Sequence, residues 1–254
     1  MGMERLDRLN KVKRRRGAVN LRPRDAASLI VVDSAGGTPR ILFGRRHPRQ
    51  KFVPDKYVFP GGRVEQCDTR LRIAADLADG ERALLMHAMK GRASAARARA
   101  LALAALRETF EETGILIGSS GGDLPETRAP AWQAFLAHGA VPRLEGLAFV
   151  ARAVTPPRRP RRYDTRFFVV SAEHILKTVG EGDGEFTETQ WLTFDEAKLY
   201  DLHAMTRTIL DDVAEYLGLD SRQRRRRPVP YYYSRQGVFV RELIERPGCG
   251  TPGA

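Results

Sequence analysis

Cysteine is nearly absent from the 254-residue chain. Cys67 and Cys249 are its two thiols, which excludes a disulfide scaffold or a cysteine-based zinc cluster and suits a reducing compartment. No run of 18 or more apolar residues occurs, so no segment reads as a membrane-spanning helix. Residues 1–10 are charged and lack the apolar stretch of a signal peptide, so the expected location is cytoplasmic. His47, His87, His138, His174 and His203 show no metal-ligand spacing and read as structural or surface residues. Lysine is scarce as well: 7 Lys against 36 Arg, within a formal net charge of +12. A chain that wraps nucleic acid draws on both types, so nucleic acid is not the favoured partner. The Arg excess in an Ala-rich chain reads first as compositional bias, and otherwise as a surface that attracts phosphates. It gathers at Lys11–Arg16, Arg158–Arg162 and Arg222–Arg227, of which the first and last read as mobile segments.

Against these absences stand 42% hydrophobic residues, enough for a real core. Residues 1–24 are basic and weakly periodic, and read as a flexible arm. Ala26–Asp33 is an apolar strand, and Gly36-Gly37 turns it into a second strand at Arg40–Arg46. Val58–Pro60 runs into Gly61-Gly62, read as a tight turn. The stretch from Asp68 is helical, its last helix spanning Ser94–Thr113 with Gly114 as a left-handed cap. Ala131–His138 reads as a helix, and Leu147–Val154, Arg166–Ser171 and Gln190–Phe194 as strands. Asp195–Leu219 reads as one long amphipathic helix. Tyr231–Glu242 is a last strand or an extended segment packed on the body. The order of elements suggests a mixed α/β or α+β domain with helices covering a sheet.

The chemistry concentrates in Arg107-Glu108-Thr109-Phe110-Glu111-Glu112-Thr113-Gly114-Ile115. On a helix, Glu108, Glu111 and Glu112 stand at i, i+3 and i+4 and share one face. Three like charges repel unless a cation sits among them, and hard oxygen ligands suit Mg²⁺ or Mn²⁺. The competing interpretation is a solvated acidic face, and the neighbours weigh against it. Phe59-Pro60-Gly61-Gly62 leads toward the helix, and Gly114 ends the helix where the acidic face ends.

Together these residues resemble the Nudix hydrolase box: a glycine, five residues, an acid, seven residues, then Arg-Glu-apolar-any-Glu-Glu-any-Gly-apolar. Gly62 fits the first glycine, and Asp68, or alternatively Glu65, the acid. Arg107, Glu108, Glu111, Glu112, Gly114 and Ile115 fit the second half, with Thr109 in an apolar slot. Between Asp68 and Arg107 lie 38 residues where the box has seven, an insertion of 31. A box split in this way, with Tyr57-Val58-Phe59-Pro60-Gly61-Gly62-Arg63-Val64 and Arg162-Tyr163-Asp164-Thr165-Arg166-Phe167-Phe168, is similar to the branch that includes peroxisomal coenzyme A diphosphatases. The chain ends Thr251-Pro252-Gly253-Ala254, which is no peroxisomal address.

The resemblance implies an α/β/α sandwich with a mixed central sheet over residues 25–220. A helical insertion at 69–106 would shape one pocket wall or a dimer contact, and residues 221–254 would form an Arg-rich linker and tail. It implies metal ligation by Glu108, Glu111, Glu112 and Glu185 together with Gly61, with Glu188 the alternate fourth carboxylate. Glu111, Glu112, Arg107 and Glu185 would be the catalytic set, Arg107 orienting a box carboxylate or the Gly61 loop. Arg46, Arg63, Arg158, Arg162 and Arg166 are the expected substrate-binding cations. The implied reaction is divalent-metal-dependent hydrolysis of the phosphoanhydride of a nucleoside diphosphate linked to another group. Coenzyme A or an acyl derivative is the favoured substrate, and ADP-ribose or a dinucleoside polyphosphate the competitor. The contrasting expectation is a non-catalytic module that binds a nucleotide or RNA; a homodimer is compatible with either.

Overall fold

Apart from Ser28, residues 26–32 are apolar without alternation because the strand they form is covered on both faces. The computed structural model describes residues 2–11, 20–50, 53–87 and 89–246. The basic run 12–16, Cys249 and residues 251–254 lie outside these residues. The chain begins with helix α1 (Gly2–Asn10) and strands β1 (Arg24–Asp33), β2 (Arg40–Arg46), β3 (Tyr57–Val58) and β4 (Gly61–Arg63). Helices α2 (Gln66–Arg70), α3 (Asp79–His87) and α4 (Ala95–Thr113) follow, then strands β5 (Ile115–Ile117) and β6 (Ser119–Ser120) and helix α5 (Pro130–Leu136). Next come β7 (Ala140–Val141), β8 (Ala148–Val154), β9 (Tyr163–Ser171), β10 (Ile175–Thr178) and β11 (Phe186–Thr193). The chain closes with α6 (Phe194–Leu199), α7 (Ala204–Leu217), α8 (Ser221–Arg226), β12 (Val229–Arg235) and β13 (Val238–Ile244).

The main sheet runs β11-β2-β1-β9-β8-β12-β13, with β3 added to β2 and β4 to β1. It is mixed: β1 pairs with β9, and β8 with β12, in parallel, and the other pairs are antiparallel. Leu29 and Val31 of β1 face α4 and α5, while Ile30 and Val32 face α7. Two cores thus lie on opposite faces of one sheet, the α/β/α layering expected.

The Gly36-Gly37 hairpin forms, with Val32 opposite Ile41. So does the helix over 95–113: the Ser94 hydroxyl accepts from the Arg97 N–H, and Gly114 caps it at φ 71°. Three expectations change. The glycine pair is not a turn; Gly61 and Gly62 form β4 beside Ser28 and Ala27. The 195–219 helix breaks at 200–203, where Tyr57 N–H donates to Asp201 O and His203 N–H to Tyr57 O. Those bonds draw the chain out of the helix to meet β3.

The third change is at the ends. Residues 2–10 are no flexible arm: they form α1, with Arg5 and Leu9 buried. Arg5 holds Asp212 and Glu215 of α7, both at 2.6 Å, and Asn10 accepts from the Phe239 N–H. Arg222–Arg227 is likewise tied down. Arg224 donates to the Tyr216 and Leu217 carbonyls, and Arg227 to that of Asp212, which are groups in the last turns of α7. Residues 229–244 extend the sheet itself as β12 and β13.

Candidate active site

Helix α4 carries the acids. Thr109, the residue that departs from the apolar slot, is fully buried, and its hydroxyl is satisfied by the Ala105 carbonyl at 2.8 Å. Gly114 lets β10 approach: a Cβ there would stand 2.1 Å from the Val179 carbonyl oxygen. The helix end is thereby fixed against the loop that carries Glu185.

β4 runs along the acidic face. The Gly61 N–H donates to Glu112 Oε2 at 2.8 Å. A Cβ on Gly62 would lie 2.4 Å from the Glu108 carboxyl carbon, and one on Gly61 2.4 Å from the Ala27 carbonyl. The strand needs both glycines to fit between β1 and the carboxylates. Ser28 steadies its entry by donating to the Pro60 carbonyl at 2.7 Å.

Arg107 lies beneath this face and is buried. Asp68 accepts two of its bonds, at 2.9 and 3.0 Å, and also those of the Trp132 indole and the Glu65 N–H. Glu65 instead pairs with half-exposed Arg63. Asp68 therefore occupies the acid position, despite the 38 residues that separate it from Arg107. Arg107 also donates to Glu111 at 2.6 Å and to the Arg63 carbonyl at 3.0 Å. Like Glu111 and Glu112, it does not line the cleft.

Burial raises the carboxyl pKa values along the face. That of Glu108 is pushed up to about 7, with the charges of Glu111 and Glu185 adding and Arg107 opposing. Glu111 is raised by burial and held back by Arg107. Glu112 is raised well above the usual range by burial, then by Glu108 and Glu185. Its Oε1 is buried with no hydrogen-bond partner, a costly state for a polar atom. Among the described residues no three Asp, Glu, His or Cys side chains converge, as they stand, into a cage for a metal ion. Glu111 is turned onto Arg107, and Glu185 onto Arg46 at 2.6 Å. The donor set nonetheless fits a hard divalent cation: crowded carboxylate oxygens, one of them orphaned, with raised proton affinities.

Glu108 and Glu185 line a cleft of about 1120 Å³ that follows the first half of β1. Glu188 is not at the cleft; it accepts from the Tyr57 hydroxyl. Arg46, Arg63 and Arg162 reach the cleft, and Arg158 and Arg166 do not. Arg166 is 1% exposed and bound to Asp25 and Asp164, because β9 points it inward at this register. Arg158 sits on an exposed loop with φ 62°. Arg162 spends its donors on the Thr155 and Leu21 carbonyls and the Asn20 side chain. The sequence reading missed Arg22 and Arg24, which line the cleft; of the Arg158–Arg162 run it singled out the two ends, whereas Arg159 and Arg161 also line it. It also missed His203, whose imidazole is pushed down to about 4 by burial and by Arg159, Lys56 and Arg46. No described residue between 69 and 106 lines the cleft, which corrects the expectation that the insertion shapes its wall.

No family model matches the chain. It is 28% identical over 233 residues to acyl-coenzyme A diphosphatase NUDT19 of Gallus gallus, a match covering 68% of this chain and 62% of that protein. The chain thus spans less than two thirds of that relative's length. The crystal structure of a NUDIX hydrolase from Alicyclobacillus acidocaldarius superposes with a TM-score of 0.57 at 27% identity, covering 76% of this chain and 92% of that one. Among the described residues no helix is long and apolar enough to cross a membrane.

Proposed function

We propose, from the premise that the chain belongs to the Nudix hydrolase superfamily, that it hydrolyses the phosphoanhydride of a nucleoside diphosphate linked to another group. Coenzyme A or an acyl derivative is the substrate class that fits best, in keeping with the name of the chicken relative. One observation carries the reading: Glu112, with one oxygen on the Gly61 N–H and the other buried and unpartnered beside Glu108 and Glu185. A carboxylate in that state is made for a cation that arrives with the substrate.

Glu108, Glu111, Glu112 and Glu185 would hold Mg²⁺ or Mn²⁺, the Gly61 segment completing the site. When bound, such an ion offsets the charge of the anhydride oxygens and lowers the pKa of the attacking water. Arg107 holds Glu111 in place through its Asp68 anchor. Glu185, at the cleft wall, accepts the proton as the water oxygen attacks one phosphorus. The anhydride P–O bond breaks, and the other phosphate leaves with its substituent. Arg46 and Arg63, which line the cleft, would offset the departing charge.

The test is product release by the purified chain with Mg²⁺ or Mn²⁺, over coenzyme A, acyl-coenzyme A, ADP-ribose, NADH and diadenosine polyphosphates. Glu112→Gln is expected to lower kcat by about 10³-fold, roughly 4 kcal/mol of transition-state stabilisation, with an unchanged thermal midpoint. Near-normal turnover in both Glu111→Gln and Glu112→Gln would refute the site.

A further inference from the structure

Described arginines in the interior differ from those at one end of the cleft. Those in the interior are matched by carboxylates: Arg5 with Asp212, Arg97 with Asp25, Arg107 with Asp68 and Arg152 with Asp164. Arg22, Arg24, Arg159 and Arg161 are not. All four line the cleft, and none makes a side-chain hydrogen bond or ion pair to another described residue. Four guanidinium groups on one wall repel one another, and such a cluster favours an anion among them.

Their placement is built. Arg24 opens β1 opposite Tyr163 of β9, and its N–H donates to the Arg162 carbonyl. Arg162 is a strut between the two segments that carry the unmatched cations. Its guanidinium grips Asn20 and Leu21 on one side and Thr155 on the other. That fixes Arg22 and Arg24 against the loop of Arg159 and Arg161 before any ligand arrives. Arg159 stands near enough to His203 to help keep its imidazole neutral, so the loop leans into the cleft.

The spacing sets the ligand's size. Gly61 pairs with Ser28, and Arg24 lies four residues earlier on the same strand. At a strand rise of ~3.3 Å per residue, the arginine end is about 13 Å from the glycine strand that abuts the acids. The same cleft is also lined by Val58, Phe59, Phe167 and Met205, a surface for a base or an alkyl chain.

We infer that Arg22, Arg24, Arg159 and Arg161 form a second anion subsite, which recognises a phosphomonoester carried by the nucleotide at a distance from the scissile anhydride. This rests on the hydrolase reading for the location of the anhydride. What it adds is the set of residues that select for such a phosphate.

The experiment separates the two claims by using ligands that need neither a metal ion nor turnover. Binding of adenosine 3′,5′-bisphosphate and of 5′-AMP to the full chain is measured by calorimetry at two salt concentrations. The bisphosphate should bind at least tenfold more tightly, and its affinity should fall more steeply with salt. In Arg159→Ala/Arg161→Ala the preference should drop toward one, and Arg24→Ala alone should reduce it in part. Thermal unfolding checks that each variant is folded. With substrates, the ratio of kcat/KM for coenzyme A over dephospho-coenzyme A should follow the same order. Equal binding of the two probes by the unsubstituted chain, or a preference that survives the double substitution, would overturn the subsite. A persistent preference in a chain that hydrolyses none of the panel would sink the hydrolase reading alone.

Discussion

The insertion at 69–106 and the segment before β1 are opposite cases of sequence distance. The insertion splits the motif, yet none of its described residues lines the cleft. Helix α1 is 98 residues from Glu108, yet Leu9 lines the cleft and is buried between α7 and the β12–β13 hairpin. What decides is where each apolar face finds cover. Residues 100–106 are at most 1% exposed, so these turns of α4 are enclosed on every side. The sheet, α2, α3 and α5 enclose them, and the many alanines allow that close approach. The insertion is buried scaffold behind the acids. The helix at the start of the chain is a wall in front of them.

Breaking the clamp that bridges the insertion should have the largest effect. Asp68→Ala leaves Arg107 buried without its two-oxygen partner and frees the Trp132 indole N–H. Removing one member of a buried pair costs about 4 kcal/mol, read as a lowered thermal midpoint. Because Arg107 also holds Glu111, kcat should fall while KM changes little. A loss confined to KM would show that the clamp serves binding and would put the insertion on the same side of the comparison as α1.

The corresponding lock on α1 is Asp212. It is fully buried, accepts Arg5 at 2.6 Å and the Tyr232 hydroxyl at 2.8 Å, and has Arg241 and Arg227 nearby. Asp212→Ala should cost about 3 kcal/mol and release α1, read as rapid proteolytic cleavage within the first ten residues. Loss of the wall at Leu9 should then raise KM with kcat nearly retained. An unchanged KM after release of the helix would remove α1 from the cleft.

The same contrast explains what could be read in the sequence. β1, the Gly36-Gly37 hairpin and the α4 caps are local signals, and each has its counterpart in the structure; the glycine pair lies beside the acids as a strand and not as the turn expected. Asp68 was separable from Glu65 only in three dimensions, because its partners Arg107 and Trp132 lie 39 and 64 residues away. The docking of α1 depends on Asp212, 207 residues from Arg5. Which members of Arg158–Arg162 face the cleft depends on the left-handed backbone at Arg158 and on Arg162 reaching back to Leu21. Neither leaves a periodic trace in a run of like charges. The break in the 195–219 helix is set by hydrogen bonds to Tyr57, on a strand about 145 residues earlier.

The smallest effect is expected inside the insertion, at Arg99 of α4. Its guanidinium donates two bonds to one oxygen of Asp76, at 3.1 and 2.6 Å, near the surface. Arg99→Ala should cost less than about 1 kcal/mol, as partly exposed pairs do, and leave kcat and KM alone. Burial alone would raise the Asp76 pKa, but the Arg99 bonds and the Leu77 N–H outweigh it and hold the carboxyl below its ordinary value. A carboxyl depressed in the folded state stabilises the fold above its unfolded pKa, and that contribution is lost as pH falls through the folded value. The difference in thermal midpoint between the two proteins should therefore be constant from pH 7 to about 5 and close as the pH drops below about 4. A change in KM from this substitution, at any pH, would mean that the scaffold side reaches the cleft after all.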